Sequence, residues 1–226
     1  MGRRRPGQAA VHPSYGGPGD HHLYSRLVTK RPAVGCLIEI VETLALTLVI
    51  FLVIQNFVAQ PYKVEQQSME RTFEPGQYVL VDKLTPRVDA YARGDIVVFN
   101  PPTSWVQERE TPFIKRVIGE GGDTVRIMDG KVFINGTALN EPYVYSDTPD
   151  GTPQETFASP DQDTWVIPEG QLFLMGDHRS NSADSRVFGP VEVDQVIGRA
   201  WLRYWPLDTF GILQTPTYPE LDTATP

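Results

Sequence analysis

The chain has 226 residues, 40% of them hydrophobic, enough for one ordinary soluble domain plus one apolar segment. A formal net charge of -8 excludes nucleic acid as a general partner, because phosphate binding needs clustered Lys and Arg, and these gather only before residue 32. Cys36 is the one cysteine and three of the four histidines lie near the N-terminus, which excludes an internal disulfide and a cysteine-based zinc site.

Residues 1–35 carry Arg3, Arg4 and Arg5 and then Gly, Pro and His without apolar periodicity. This composition predicts a disordered basic cytoplasmic tail. Residues 36–60 predict a transmembrane helix: the apolar run from Cys36 to Val58 reaches about 34 Å at about 1.5 Å per residue, and a hydrocarbon core is about 30 Å thick. Glu39 and Glu42 lie near one end, where a span of about Val41 to Gln60 leaves them at the interface, within reach of Lys30 and Arg31. The competing reading is a cleavable signal peptide, but Asn56, Phe57, Val58 and Ala59 lack the small-x-small pattern at its cleavage site. Arg26, Lys30 and Arg31 before the span predict a cytoplasmic N-terminus in the plasma membrane, single-pass, with everything after Pro61 extracytoplasmic.

Short strands with turn residues follow. Tyr78 to Val81, Ile96 to Phe99, Gln171 to Met175 and Val196 to Tyr204 are rich in β-branched and aromatic residues. Val125 to Met128 and Lys131 to Ile134 are separated by Asp129-Gly130 and followed by Asn135-Gly136, which suit hairpin turns with positive φ at both central residues. The expected fold is mainly β: an antiparallel β-sheet catalytic domain over 61–125 and 170–214, a smaller inserted β subdomain over 126–169, and a flexible tail over 215–226. The acid-, Pro- and Ser/Thr-rich stretch from Glu141 to Glu169 reads as exposed.

Three segments carry chemistry. Ser68, next to Met69 and about ten residues past the apolar run, becomes a nucleophile only if a neighbour takes its proton. On a strand, Lys115 shares a face with Phe113 and Val117 while Arg116 points away, and such neighbours would desolvate the ammonium and lower its pKa from about 10.4. Alone, the same lysine reads as a solvated strand residue. The polar run Gly176 to Arg186 follows the apolar Leu172 to Met175 and needs internal partners if buried; Asp184 and Arg186 offer an ion pair, and an exposed loop is the alternative.

Ser68-Met69, the Arg93 to Phe99 run, Lys115-Arg116 with Gly121-Gly122-Asp123, and Gly176 to Arg186 resemble, in order and spacing, the motif boxes of bacterial type I signal peptidases, over about residues 36 to 206. The resemblance implies a membrane-anchored endopeptidase that cleaves N-terminal signal peptides from exported preproteins. Ser68 would be the nucleophile, Lys115 the general base, Ser182 the serine that orients the lysine, and Asp184 with Arg186 the supporting ion pair. Met69, Phe73, Phe113 and Ile114 would line the pockets for small residues. No metal or organic cofactor is implied; the partners are preprotein signal peptides and the phospholipid membrane, and the protein is expected to be a monomer.

Four positions depart from the family pattern, one of them Phe73 where Leu is usual. Arg71 stands where Pro is usual, and Gln66 where a Ser, Thr or Gly serves the oxyanion hole; the Ser68 N–H and the Gln66 amide are the donors available instead. His178 replaces a common Asn. The Arg71 and Gln66 departures motivate a second reading, a catalytically inactive anchored β-rich binding or assembly protein. A Ser-Lys self-cleaving repressor fits less well, since the chain has a membrane span and no basic DNA-reading helix.

Overall fold

The computed structural model describes residues 33–84, 86, 88–105 and 111–222. Most of the predicted tail lies outside these residues. The chain divides after Leu44 into two units. Helix α1 (Ala33–Val53) runs on through a π-helical turn, Ile54–Val58. Gly35–Val58 is apolar enough and long enough to cross a membrane, and its side chains are uncovered by protein. The Thr43 hydroxyl and the Asn56 amide donate to the Glu39 and Leu52 carbonyls one turn back, so these polar groups are satisfied within the helix.

The helix stops at Val58, and Ala59 and Gln60, expected as its last residues, open strand β1 (Ala59–Lys63) against Asp82 and Val81 of β2 (Tyr78–Asp82). Pro61 accounts for the change: it drives the residue before it into extended backbone and, lacking an N–H, suits an edge strand.

The strands that follow are β3 (Ile96–Phe99), β4 (Phe113–Gly119), β5 (Thr124–Met128), β6 (Lys131–Ile134), β7 (Thr137–Ala138), β8 (Thr164–Val166), β9 (Gln171–Met175), β10 (Val191–Glu192), β11 (Val196–Trp205) and β12 (Gly211–Ile212). The main sheet has the order β1-β2-β11-β3-β4-β9-β10, with β12 on β11; the second is β7-β6-β5-β8. Every pairing is antiparallel. Asp129-Gly130 and Asn135-Gly136 have positive φ at all four residues, the turns predicted for them.

Three apolar clusters hold the sheets. Val125, Ile134 and Trp165 of the second sheet pack on Ile118, Phe173 and Met175 of the main one. Val64, Met69, Phe73, Val79 and Ile114 form a second cluster around the Ser68 segment. Val97, Phe99, Val117 and Leu174 belong to the third. β4 is therefore covered on both faces, so Lys115 and Arg116 are both buried whichever way each points.

The expected flexible tail from 215 is instead packed as far as its described residues run. Tyr218 is buried with its hydroxyl 2.9 Å from that of Tyr143, Thr215 Oγ1 donates to Asp95 Oδ1 at 3.0 Å, and helix α3 (Pro219–Asp222) brings Glu220 to the Asn140 N–H at 2.8 Å. One aromatic ring in a Thr- and Pro-rich segment is enough to dock it. Part of the 141–169 stretch is likewise interior, Val144, Thr156 and Trp165 being buried.

Candidate active site

Ser68 occupies a single 3-10 turn, Gln67–Met69, between β1 and β2. Met69 and Phe73, expected to line pockets, are 0% and 1% exposed and belong to the apolar cluster under this turn. Their burial anchors the turn, with the Phe73 N–H donating to the Met69 carbonyl at 2.7 Å. The groove of about 510 Å³ above it is lined by Gln66, Ser68, Phe113 and Lys115, with Asn181 and Ala183 opposite. Ile114 lines a smaller neighbouring cavity of about 210 Å³, and Gln66, extended and exposed, borders both.

Lys115 sits within β4, paired with Val97 of β3. Its Nζ lies 2.6 Å from Ser68 Oγ and 3.1 Å from the Ile114 carbonyl, and 5.4 Å from the Phe113 ring centroid. Burial pulls the amine down to about 8; the carboxylates of Asp184 and Asp177 pull the other way and Arg186 assists the lowering. A lysine brought this close to neutral pH, in contact with a hydroxyl, can hold that hydroxyl's proton.

The Gly176 to Arg186 run is interior rather than an exposed loop. Asp184 caps helix α2 (Ser185–Phe188) and pairs with Arg186 through two bonds, at 2.8 and 2.9 Å. Burial alone would raise its carboxyl, but Arg186 and the Gly176 N–H hold it below the usual range. Ser182, expected to orient the lysine, does not bond it. Its Oγ is buried, laid over Gly176 by the extended backbone at Ser182 and close enough to the Asp184 carboxylate to help hold that carboxyl low. The Lys115 contacts go to Ser68 and Ile114 instead.

Gly176 is where three segments meet. A Cβ there would collide with the Ser182 hydroxyl and lie 2.5 Å from the Ser68 carbonyl oxygen. Gly176→Ala is therefore expected to displace the serine turn and destabilise the fold by about 1 to 3 kcal/mol, read by denaturant unfolding against the parent protein.

The largest polar group missed from the sequence is Arg116 with Asp177. Two bonds at 2.9 and 2.7 Å join them, Thr72 Oγ1 donates to Asp177 Oδ2 at 2.5 Å, and the guanidinium stacks 4.0 Å over Tyr143. Arg179 pairs with Glu141 in the same interior. The signal available was the dense polar run itself, which demands buried partners; which distant residues supply them is set by the fold. Arg71 has φ 80, a conformation closed to proline, and its guanidinium donates to the Val144 carbonyl at 2.7 Å. The usual Pro at this position would force a different course on the loop.

Fold and site together define a β-rich protein with an apolar helix and a serine and lysine in contact at the edge of a groove. A family model described as "Signal peptidase, peptidase S26" matches residues 37–205. Signal peptidase I of Leptolyngbya laminosa is 36% identical over 80% of this chain and 85% of its own, and signal peptidase IB of Staphylococcus aureus is 30% identical over 77% and 92%. A solved signal peptidase I from Enterococcus faecalis V583 is 31% identical, spanning 49% of this chain and 97% of that one, at a TM-score of 0.38. The chain belongs to the S26 signal peptidase family and is a peptidase.

Proposed function

We propose that this protein is a membrane-anchored serine endopeptidase that removes signal peptides from exported preproteins through a Ser68–Lys115 dyad. The observation that carries this reading is the 2.6 Å contact between Ser68 Oγ and a Lys115 amine that burial brings to about 8. α1 holds the protein in the phospholipid bilayer with its N-terminus cytoplasmic, by the excess of Arg26, Lys30 and Arg31 on that side. The β-domain then acts outside, as a monomer, where signal peptides emerge.

The substrate lies extended between residues 64–67 and 113–115, adding a strand over the groove. Neutral Lys115 takes the Ser68 proton as Oγ attacks the scissile carbonyl carbon. The oxyanion is met by the Ser68 N–H, which a 3-10 turn leaves free of an intrahelical partner at its start, and by the Gln66 side-chain amide at the groove edge. As the C–N bond breaks, Lys115 gives the proton to the leaving amine of the mature protein. Lys115 then deprotonates a water that attacks the acyl-enzyme, and the signal peptide leaves as a carboxylate with Ser68 reprotonated. Asp184 with Arg186 keeps the loop facing the dyad in place; no cofactor is required.

The test is cleavage of a preprotein by the purified full chain in detergent. Ser68→Ala is expected to abolish turnover while leaving substrate binding intact. Binding without cutting by the parent protein, or unchanged cutting by Ser68→Ala, would establish the inactive binding protein or another nucleophile and sink this reading.

A further inference from the structure

We propose that the Glu70–His178 side-chain pair is a positioning latch for the nucleophile, a role that rests on the reading of Ser68 and Lys115 as the dyad. The turn that carries Ser68 is three residues long, and a 3-10 turn of that length has weak hydrogen-bond geometry of its own. Beyond the buried Met69 and Phe73 beneath it, the segment after β9 holds it from the other side. The His178 N–H donates to the carbonyl oxygen of Ser68 at 3.0 Å, so His178 grips the nucleophile's own residue through its backbone. Its imidazole then reaches two residues further along, where Nδ1 lies 2.7 Å from Glu70 Oε2, both side chains being largely buried, at 14% and 17% exposed. A carboxylate oxygen accepts, so the pair closes with Nδ1 carrying the N–H.

The ring itself is not free to swing. Tyr145 stacks on it at 4.1 Å between centroids and 21° between planes, and the Tyr145 N–H is tied to the Asp177 carbonyl at 2.9 Å. Backbone, ring face and Nδ1 therefore fix the imidazole at three points, and Glu70 transfers that fixity to the serine turn. A second clasp, Asn181 Nδ2 to Gln67 Oε1 at 3.2 Å, joins exposed side chains on the other side of Ser68 and constrains less. Hence Glu70 and His178 touch neither substrate nor the reacting atoms, yet decide whether Oγ rests within reach of Lys115. A displacement of about 1 Å is enough to cost on the order of a hundredfold in rate.

The latch is a donor–acceptor pair and can be rebuilt. An Asn at 178 places an N–H on the atom after Cγ, as His does with Nδ1, and a Gln at 70 keeps an acceptor oxygen. The experiment uses the full chain in detergent, with steady-state cleavage of a preprotein and thermal unfolding measured on each variant. Glu70→Ala and His178→Ala are each expected to lower kcat about 10- to 100-fold with KM within about twofold, and the double variant to be no slower than the worse single one. His178→Asn and Glu70→Gln are expected to keep kcat within about threefold of the parent. If both alanine variants turn over like the parent while Ser68→Ala is dead, the latch is wrong and the dyad stands. A rise in KM alone, or a His178→Asn variant as slow as His178→Ala, also overturns it. Unchanged cleavage by Ser68→Ala removes the dyad and the latch together.

Discussion

Lys115→Met is expected to abolish signal-peptide cleavage and at the same time make the folded protein more stable near neutral pH. The loss follows from taking away the amine that contacts Ser68 Oγ among the described residues, and general-base contributions run to about 10² to 10⁴ in rate. The gain follows from burial. Lys115 is 1% exposed and its amine falls from an ordinary 10.5 to about 8, chiefly because the ammonium is desolvated. That difference corresponds to about 3 kcal/mol of destabilisation wherever the folded protein must hold the charge, below about pH 8. Between about 8 and 10.5 the unfolded chain binds more protons than the folded one, so the parent's stability rises with pH through that window; the methionine variant, similar in length and uncharged, lacks this term. Unfolding midpoints at pH 7 and pH 9 check it: the gap between variant and parent should shrink at the higher pH. With Lys115 as the proposed base, the rate of the parent should climb with pH up to about 8 and then level off. A rate limb near 10 would mean that burial does not lower Lys115.

Asp177→Ala is expected to cost about 3 to 5 kcal/mol, because it leaves the buried Arg116 guanidinium without its carboxylate. It also frees Thr72, four residues past Ser68, from its bond to Asp177. Stability and activity should therefore fall together. The double change Arg116→Met with Asp177→Leu separates the two effects: two apolar side chains of similar size remove the unpaired charge and should recover much of the unfolding free energy. Cleavage should stay low, since Thr72 has still lost its acceptor. Denaturant unfolding and a preprotein cleavage assay on the same preparations read both quantities; recovery of both would mean that Asp177 serves stability alone.

Most strands were legible as short runs of β-branched and aromatic residues between turns. Ile96–Phe99, Lys131–Ile134 and Gln171–Met175 form with the ends their composition predicts, and both Asx-Gly turns adopt the positive φ that only such pairs take readily. β8, three residues in a polar stretch, was not legible, since so short a run has no period to detect. The tail from 215 was misread because composition averages over Tyr218, whose docking depends on a partner, Tyr143, 75 positions earlier.

At the site, sequence alone determined which residues stand where chemistry is possible: a serine just beyond a membrane-length helix, a lysine between apolar neighbours on a strand, and a polar run too dense to lie buried without partners. Those are local properties, set by side-chain type and by periods of two or three to four residues. Only the tertiary structure decided the pairings, because each joins segments far apart in the chain: Ser68 with Lys115, Arg116 with Asp177, Glu70 with His178. It also decided against the expected bond from Ser182, whose hydroxyl lies over Gly176 by the course of the backbone there. A hydrogen bond is made or lost within about half an ångström, and no local pattern positions two distant segments that closely; packing of β4 between three clusters does.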